Sequence, residues 1–378
     1  MIYRDLCNEK VSQLGFGCMR FPTLDNDPKQ IDKEKSSAML KEAIDKGVNY
    51  LDTAWPYHGE MSELFVGEFL KENNLREEIY LTTKSPVWLC KTYDDFGLYL
   101  DKQLKKLQTN YIDFYLLHAL DAGRWQKLKE QNIEDFIIEA KGSGKVKHLG
   151  FSFHDSLDLF KEICDSNLFD FCQIQLNYMD VNYQAGLEGL QYAHSKGIPV
   201  IIMEPLKGGK LAFKIEGALK EIWDKHDVQA SPAQLALKFL YNLPEVNLIL
   251  SGMSTMEQVL ENIDTSSTAN IGDLSSEEET LIKDIKKYIE EKTKVNCTAC
   301  KYCIDCPQQI PIYDVFEIIN DAHMYDDWDY SKKKYSQISQ DKRANNCIEC
   351  GNCEDQCPQH IDIIEALKKC HEELRLPS

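Results

Sequence analysis

Residues 48–59 have the sequence VNYLDTAWPYHG, in which a short apolar run ends at Asp52 and Tyr57 follows in a loop. Similar apolar runs recur along the chain, and amphipathic segments with helical periodicity lie between them. The predicted strands are VNYLDT (48–53), EIYLTTK (78–84), IDFYLLH (112–118), VKHLGFS (146–152), FCQIQLN (171–177), IPVIIME (198–204) and NLILSG (247–252). Seven or eight β–α units over roughly 250 residues match the length and the alternation of strands and helices of a (β/α)8 barrel. The sequence therefore predicts an α/β fold, and within that class a TIM barrel.

The helical segments support the barrel over the other common α/β fold. They include KEKSSAMLKEAIDKG (33–47), DDFGLYLDKQLKKL (94–107) and AQLALKFLYN (233–242), each with an apolar stripe. No G-x-G-x-x-G sequence follows a predicted strand and opens a helix, as a doubly wound dinucleotide-binding sheet requires. A Rossmann-type sheet is therefore disfavoured.

Polar side chains stand at the predicted ends of three consecutive strands. They are Asp52, Lys84 and His118, and Tyr57 lies in the loop that follows Asp52. The C-terminal ends of TIM-barrel strands carry the catalytic groups. Each residue alone has an ordinary structural explanation, but four such groups in neighbouring units indicate a common site. Trp55 and Trp88 flank them, and they either form walls of the pocket or simply pack in the core.

The chain contains 14 cysteines, and eight of them fall into two dense runs near its end. The other six are scattered singly, as buried apolar thiols usually are. Disulfides are improbable in a reduced intracellular chain. The two runs are Cys297, Cys300, Cys303 and Cys306, then Cys347, Cys350, Cys353 and Cys357.

The spacing within these runs favours iron–sulfur clusters over zinc. A structural zinc site takes two CxxC pairs separated by a longer loop, whereas here a third cysteine follows each pair after two residues. The second run, CIECGNCEDQCP (347–358), has the C-x2-C-x2-C-x3-C-P pattern of bacterial ferredoxins, in which the fourth cysteine binds the other cluster. On that scheme one [4Fe–4S] cluster is held by Cys297, Cys300, Cys303 and Cys357. The other is held by Cys306, Cys347, Cys350 and Cys353.

The first run departs from this pattern, because two residues rather than three separate Cys303 from Cys306. The exchange of the fourth ligands is therefore left open. The segment between the runs, IYDVFEIINDAHMYDDW (312–328), has helical periodicity, and so has IDIIEALKKCHEEL (361–374). This part of the chain resembles the helical type of dicluster ferredoxin domain.

The region from the first strand to about residue 265 resembles the aldo-keto reductase family. The matching segments are LGFGCMR, NYLDTAWPYHGEMSELFVGEFL, LTTKSP, DFYLLHAL, GKVKHLGFSFH, QIQLNYMD and SGMSTMEQVLENI. The resemblance implies a nicotinamide cofactor and a catalytic tetrad of Asp52, Tyr57, Lys84 and His118. Tyr57 would be the general acid for carbonyl reduction and the base for oxidation. The ammonium of Lys84, held by Asp52, would favour the phenolate and lower the pKa of Tyr57, while His118 would orient the carbonyl oxygen.

The same resemblance implies a set of cofactor contacts. Phe153 replaces the usual Asn after Ser152, and Met203 replaces the aromatic residue that covers the nicotinamide ring. The Lys and Arg that bind the 2′-phosphate in many members correspond to Gly252 and Gln258, so a preference for NADP over NAD does not follow. The implied contacts are Ser152, Gln173, Met203, Leu206, Gly252, Ser254, Gln258, Glu261 and Asn262.

Composition and net charge limit the possible partners and the expected location of the protein. The formal charge of −19 argues against nucleic acid and anionic lipid as partners. No signal peptide or apolar run of membrane-spanning length is present, which predicts a cytoplasmic protein. We expect a barrel over residues 1–270, a linker and helix over 271–296, and a ferredoxin-like domain over 297–378. Within the linker region, the Ser- and Thr-rich segment from Asp264 is expected to be a loop, and SSEEETLIKDIKKYIEE (275–291) a helix.

Three functions fit these features. An NAD(P)-dependent oxidoreductase could act on a small carbonyl or alcohol, with two clusters relaying electrons to or from a redox partner. Alternatively, hydride transfer alone turns over the carbonyl, and the clusters are structural or sense the redox state. A regulatory barrel that binds nucleotide without turnover is disfavoured, because the tetrad is complete.

Overall fold

The computed structural model describes residues 1–25 and 27–376. Two compact units are present. The first contains residues 1–205 and 236–273, and the second contains residues 206–235 and 274 onward. The domain boundaries expected near residues 270 and 296 stay predictions, and the last two residues of the expected ferredoxin-like domain lie outside the described part.

The first unit is built on a closed barrel of eight parallel strands. An antiparallel hairpin, β1 (Tyr3–Leu6) and β2 (Glu9–Ser12), precedes it. The barrel strands are β3 (Leu14–Gly17), β4 (Tyr50–Asp52), β5 (Tyr80–Ser85), β6 (Ile112–Leu120), β7 (Val146–Phe153), β8 (Phe171–Gln175), β9 (Val200–Met203) and β10 (Val246–Gly252). They pair in chain order, and β10 closes the ring between β9 and β3. The predicted TIM barrel is confirmed.

Helices alternate with these strands and continue into the second unit. They are α1 (Lys33–Asp45), α2 (Ser62–Glu72), α3 (Tyr93–Lys106), α4 (Ala122–Glu130), α5 (Ile133–Gly142), α6 (Leu157–Asp165), α7 (Gly186–Ser195), α8 (Gly217–Trp223), α9 (Pro232–Tyr241), α10 (Met256–Thr268), α11 (Ser276–Lys292), α12 (Ile312–Tyr325), α13 (Trp328–Ser336), α14 (Asn352–Asp355) and α15 (Ile363–Leu374). Within the described ranges, every helix is too short or too polar to cross a membrane.

Burial explains why the strands appear as continuous apolar runs. All nine residues of β6 are buried, as parallel strands covered on both faces require. One cluster of the barrel interior joins buried side chains from five of its strands and the hairpin. Its buried members are Leu6, Val11, Tyr50, Phe114, Leu116, Phe171, Ile201, Leu248 and Leu250.

The strand ends bring the polar residues to the C-terminal end of the barrel. Asp52 is the last residue of β4, and Lys84 is the second-last residue of β5. In β6 the pairing with β7 shifts register between Leu117 and Leu120, and Ala119 has a φ of 55° in this irregular stretch. This irregularity changes the course of β6 next to His118, as bulges near active sites often do.

The expected loop from Asp264 is wrong over its first five residues, which form the last part of α10. Hydroxyl groups there donate to carbonyls three or four residues earlier. Thr265 Oγ1 lies 2.8 Å from the Glu261 oxygen, and Ser267 Oγ lies 2.7 Å from the Ile263 oxygen. Such bonds let a Ser- and Thr-rich segment remain helical.

The second unit is mainly helical. The predicted helix after Ser275 is confirmed as α11, which begins with a capping box between Ser275 and Glu278. The predicted helix over 312–328 is shorter than expected, because Asp326 takes a left-handed conformation and ends α12 at Tyr325. An apolar core joins α12, α13 and α15, and six of the cysteines from the two dense runs pack against it.

A close backbone contact lies within the second unit. Gly208 has a φ of 70°, and a Cβ atom at this position would lie 2.0 Å from the carbonyl oxygen of Thr298. Lys210 Nζ donates to the carbonyl oxygen of Val295 at 3.3 Å. The segment around residue 208 therefore packs directly on the chain that carries Cys297 and Cys300.

Candidate active site and cysteine cavities

The structure brings the four predicted catalytic residues together at the C-terminal end of the barrel. Lys84 Nζ lies 2.6 Å from Asp52 Oδ1 and 3.3 Å from the Tyr57 hydroxyl oxygen. The rings of Tyr57 and His118 meet edge to face, with their centroids 6.2 Å apart. All four side chains are at least nine-tenths buried, so their charges and hydrogen bonds act in a medium of low dielectric.

Lys84 is fixed by three acceptors, one for each of its ammonium hydrogens. The third, after Asp52 and Tyr57, is the carbonyl oxygen of Thr53 at 2.9 Å. Burial raises the pKa of Asp52 and lowers that of Lys84, while the charge of each partner opposes these changes. The pair is held in one geometry that directs the ammonium at the phenol oxygen.

The net change in the pKa of Tyr57 is upward, opposite to the direction expected from the Lys84 ammonium. Burial raises the pKa of this phenol well above its usual value, and the negative charge of Asp52 raises it further. Loss of solvation of the phenolate is the largest cause of this rise, and the positive charge of Arg20 opposes it. Tyr57 therefore keeps its proton, which is the state that a proton donor needs.

His118 is held as a neutral imidazole. Burial lowers its pKa well below the usual value, and the positive charges of Lys84 and Arg124 contribute to the decrease. Its Nδ1 atom is buried and has no hydrogen-bond partner among the described residues. A neutral imidazole can donate one hydrogen bond to a bound oxygen without adding a charge.

A buried hydrogen-bond network behind Lys84 was not anticipated from the sequence. Gln103 Nε2 donates to the carbonyl oxygen of Lys84 at 3.0 Å and to Glu63 Oε1 at 2.5 Å. Tyr115 donates its hydroxyl hydrogen to Gln103 Oε1 at 2.7 Å, and Thr83 donates to Glu63 at 2.7 Å. Glu63 and Gln103 lie in predicted helices, and the sequence pattern there does not distinguish a buried polar residue from an exposed one.

The two tryptophans differ in their surroundings. Trp88 is 37% exposed, and its ring lies 5.3 Å from that of His118, so it borders the candidate site. Trp55 is buried, with Lys106 Nζ 3.5 Å from its ring centroid and Tyr99 packed edge to face against it. A cation so close to the ring holds Trp55 in place.

Three candidate cofactor contacts lie on adjacent strands. Ser152 pairs with Gln173 between β7 and β8, and β8 is followed in the barrel by β9, which ends at Met203. Ser152 Oγ accepts the backbone N–H of Ala119 at 2.7 Å, and Gln173 Nε2 donates to Met203 Sδ at 3.4 Å. Gln173 Oε1 is buried and has no partner within residues 1–25 and 27–376. An amide donor would satisfy it.

The remaining candidates surround the end of β10 and the start of α10, except for Leu206, which lies in the second unit. Gln258 Oε1 accepts the backbone N–H of Ser254 at 2.8 Å, and Asn262 Nδ2 donates to Ser251 Oγ at 2.9 Å. Gly252, Ser254 and Gln258 are exposed, and Glu261 is half-buried. Asn262 is buried, and its hydrogen bond to Ser251 holds the end of β10 in place.

The two cysteine runs meet at two cavities in the second unit. The cysteines that line cavity A are Cys297, Cys300, Cys303 and Cys357. Those that line cavity B are Cys303, Cys306, Cys347, Cys350 and Cys353. Each cavity thus takes cysteines from both runs. In the described ranges, no group of three or more His, Cys, Asp or Glu side chains is arranged to hold a single metal ion.

The thiols within each cavity influence one another. Burial raises the pKa of Cys303 to about 12, and the nearby sulfurs of Cys297 and Cys357 add to the rise. Burial likewise raises the pKa of Cys353 to about 11, with contributions that include Cys347 and Cys306. Thiols in such surroundings release their protons when they bind metal.

Comparison with known proteins identifies the family. A model of the aldo/keto reductase family matches residues 13–287, and a model of a 4Fe-4S dicluster domain matches residues 296–362. The first match covers well over half of the chain. The chain therefore belongs to the aldo/keto reductase family, and its C-terminal part carries a 4Fe-4S domain.

Individual relatives match at moderate identity. L-galactose dehydrogenase of Arabidopsis thaliana is 27% identical over 296 residues, which are 72% of this chain and 89% of the relative. Methylglyoxal reductase DkgB of Salmonella typhimurium is 30% identical over 206 residues, or 53% of this chain and 71% of the relative. The structure of aldo-keto reductase AKR11C1 from Bacillus halodurans in its holo form matches with a TM-score of 0.62 at 26% identity, covering 75% of this chain and 96% of that one.

Proposed function

We propose that this chain is an NAD(P)-dependent oxidoreductase that reduces a small carbonyl compound, or oxidises the corresponding alcohol. Tyr57 is the general acid of the reduction. The contact between Lys84, Asp52 and the Tyr57 hydroxyl in one buried site carries this proposal. The names of the relatives, an L-galactose dehydrogenase and a methylglyoxal reductase, support small carbonyl and alcohol substrates.

The residues divide the chemistry of reduction between them. A nicotinamide dinucleotide, when bound, would supply the hydride, so the protein must stabilise the negative charge that develops on the carbonyl oxygen. Tyr57 donates its proton to that oxygen, and Lys84 stabilises the phenolate that remains. His118 donates a hydrogen bond that holds the oxygen in position. The raised pKa of Tyr57 keeps the donor protonated over the physiological range.

The nicotinamide would be held by residues at the ends of β7, β8 and β9. Gln173 Oε1 is a buried acceptor that the amide group of a nicotinamide would satisfy, and Ser152 Oγ lies beside it on the adjacent strand. Met203, at the end of β9, supplies a polarisable apolar surface for one face of the ring. Leaving a buried acceptor without a hydrogen-bond donor costs free energy unless a ligand supplies one, so these residues fit a nicotinamide amide.

The shape of the activity profile with pH follows from two pKa changes. Reduction requires Tyr57 to be protonated and His118 to be neutral. The pKa of Tyr57 is raised above its usual value of about 10, and that of His118 is lowered below its usual value of about 6.5. We therefore expect kcat/KM for methylglyoxal reduction to be flat between about pH 6.5 and pH 9.

The measurement is a profile of initial rates in buffers of constant ionic strength, with cofactor affinity recorded at each pH. A decline in kcat/KM between pH 7 and about pH 6.5 that follows a single protonation, with unchanged cofactor affinity, would contradict the neutral state of His118. A decline between pH 7 and 9 would contradict the raised pKa of Tyr57.

We further propose that the C-terminal domain holds two [4Fe–4S] clusters with exchanged fourth ligands. The cysteines that line cavity A are the four expected for one cluster, including Cys357 from the second run. Cavity B contains the four expected for the other, including Cys306 from the first run. The exchange is supported by this grouping, although Cys303 borders both cavities. Such clusters would supply one-electron transfer.

Anaerobically prepared protein is expected to contain about eight irons and eight acid-labile sulfides per chain, because each cluster contributes four of each. Cys300→Ala and Cys350→Ala should each reduce both contents towards four, while Cys7→Ala, outside the two runs, should leave them unchanged. A zinc content of one per chain without acid-labile sulfide would refute the cluster assignment.

The same samples distinguish an electron relay from a structural role. If the clusters accept electrons from the cofactor, anaerobic addition of NADPH or NADH should bleach their visible absorbance, and the Cys350→Ala chain should show a smaller change. If they are structural or respond to another redox signal, dithionite will bleach them but neither dinucleotide will. Turnover of methylglyoxal by the intact chain and by Tyr57 variants tests the catalytic proposal itself.

A further inference from the structure

A cation stands at the rim of the candidate active site and has no role in the proposed hydride transfer. Arg124 lies in the first turn of α4, shortly after His118 in the chain, and its side chain is 33% exposed. Its Nη1 atom donates to the carbonyl oxygen of Ala119 at 2.5 Å and lies 3.2 Å from Asp121 Oδ2. Because Ala119 directly follows His118, these two contacts hold the guanidinium beside the imidazole.

Two nitrogens of this guanidinium are open to a ligand. Nε and Nη2 of Arg124 form no hydrogen bond to the part of the chain that the structure describes. Asp121 also accepts the backbone N–H of Arg124 at 2.7 Å, so its carboxylate is used to cap α4 as well as to orient the side chain. The edge of the guanidinium that carries Nε and Nη2 therefore keeps its donors.

An accessible indole lies between this cation and the catalytic residues. The guanidinium carbon of Arg124 lies 5.8 Å from the ring centroid of Trp88, and the ring of Trp88 lies 5.3 Å from that of His118. The face of an indole attracts a cation, so Trp88 is a further support for the guanidinium. A ligand that extends from His118 along the Trp88 ring would reach Arg124.

The other polar groups of the site are not suited to bind a second, charged group of a substrate. The Lys84 ammonium is enclosed by its three acceptors. His118 is neutral, because burial lowers its pKa and the charge of Arg124 contributes to the decrease. The guanidinium at the rim is therefore the group that can offer both a positive charge and hydrogen-bond donors.

We propose that Arg124 binds an anionic group of the substrate, and that the chain reduces carbonyl compounds which carry a carboxylate or a phosphate a few bonds from the carbonyl carbon. This inference rests on the proposed function, because the carbonyl oxygen must be held at Tyr57 and His118. One edge of a guanidinium forms two parallel hydrogen bonds to a carboxylate or phosphate, and such charge-assisted bonds are strong. Trp88 would cover the apolar carbons between the two ends.

The test compares matched substrates on the full, anaerobically prepared chain at saturating dinucleotide. Succinic semialdehyde carries a carboxylate, and its methyl ester keeps the carbon chain without the charge. Arg124→Gln is expected to lower kcat/KM for the semialdehyde about ten- to hundredfold, the range given by loss of a hydrogen bond to a charged group. It should leave kcat/KM for the ester unchanged. Arg124→Lys keeps the charge without the planar fork and should give an intermediate value.

Lys129→Gln is the matched control, because it removes a cation from the same helix. The Lys129 ammonium contacts Glu162 Oε1 at 3.0 Å and not Trp88, so both kcat/KM values should stay at the wild-type level. Added salt should reduce the difference between the wild type and Arg124→Gln for the semialdehyde, because partly exposed charges are screened. A difference that salt does not change would contradict a contact based on charge.

Glyceraldehyde phosphate and glyceraldehyde form a second pair that separates the two sources of the anion. If Arg124→Gln lowers kcat/KM for the phosphate and not for the semialdehyde, the site is assigned to phosphate, and the reverse result assigns it to carboxylate. Losses for both charged compounds assign a site that accepts either anion.

The remaining outcomes overturn the proposal. Equal losses for the charged and uncharged members of each pair would show that Arg124 acts through Trp88 or His118 and binds no anion. Unchanged kcat/KM for all four compounds would show that Arg124 does not contact the substrate, while their reduction leaves the proposed function intact. If the wild-type chain reduces none of them and no methylglyoxal with either NADH or NADPH, the proposed function fails, and the role of Arg124 fails with it.

Discussion

Replacing Tyr57 with phenylalanine is expected to lower kcat for carbonyl reduction by about 10²–10⁴-fold, the usual contribution of a positioned general acid. The substitution removes one oxygen atom and leaves the ring, so the edge-to-face contact with His118 remains. Affinity for NADPH and NADH should be unchanged, because the phenol hydroxyl contacts Lys84 and not the residues proposed to hold the cofactor. The measurement compares steady-state rates with dinucleotide affinities for the same preparations.

Tyr99→Phe is the matched control for this experiment. Tyr99 packs against Trp55 near the site, yet it has no role in the proposed chemistry, so its variant should retain the wild-type rate. Undiminished turnover by Tyr57→Phe would remove Tyr57 as the proton donor. A loss of cofactor affinity as large as the loss of rate would instead make Tyr57 a binding residue.

The second large effect is expected from Lys84→Met, on stability as well as on rate. In this variant the buried Asp52 loses the Lys84 ammonium, which lies 2.6 Å away. Removing one member of a buried ion pair typically lowers the free energy of unfolding by about 3–5 kcal/mol. The pKa of Asp52, already raised by burial, would rise further without the ammonium. The folded variant would then bind a proton that the unfolded chain has lost, so its free energy of unfolding should decrease as the pH rises from 4 to 8.

Chemical denaturation at several pH values checks this expectation, with the double variant Lys84→Met/Asp52→Asn as the comparison. A neutral amide removes the unpaired carboxylate, so the double variant should recover much of the stability at pH 8 and lose the pH dependence. It should not recover activity, because the ammonium that stabilises the phenolate is still absent. Equal stability of the single and double variants would show that Asp52 is not left charged.

The parts of the fold that depend on periodicity were predicted from the sequence, and residues at the ends of predicted strands were placed correctly. Asp52, Lys84 and His118 follow apolar runs whose length fixes where each strand ends, so their meeting at one end of a barrel follows from parallel pairing. The spacing of the cysteines likewise indicated that both runs contribute to common sites, and each cavity is lined by cysteines of both runs; the exchange of the fourth ligands stays a prediction.

Features that depend on competing energies were not predicted. The sign of the pKa change at Tyr57 depends on whether loss of solvation exceeds the attraction of Lys84, and spacing along the chain carries no information on either quantity. The helical conformation of residues 264–268 depends on hydroxyl groups bonding back to carbonyls such as that of Ile263. Likewise, Gln103 contacts Lys84 only because α3 is packed in a particular rotation, which a local pattern does not determine.

The contact between Gly208 and the Thr298 carbonyl has a consequence for biosynthesis. Residues 206–235 leave the ribosome well before residue 298, so during translation they lack the surface on which they pack in the mature chain. We expect this segment to complete its packing only after the cysteine-bearing region has been synthesised. A chain that ends before residue 298 should therefore leave the surface around Gly208 uncovered.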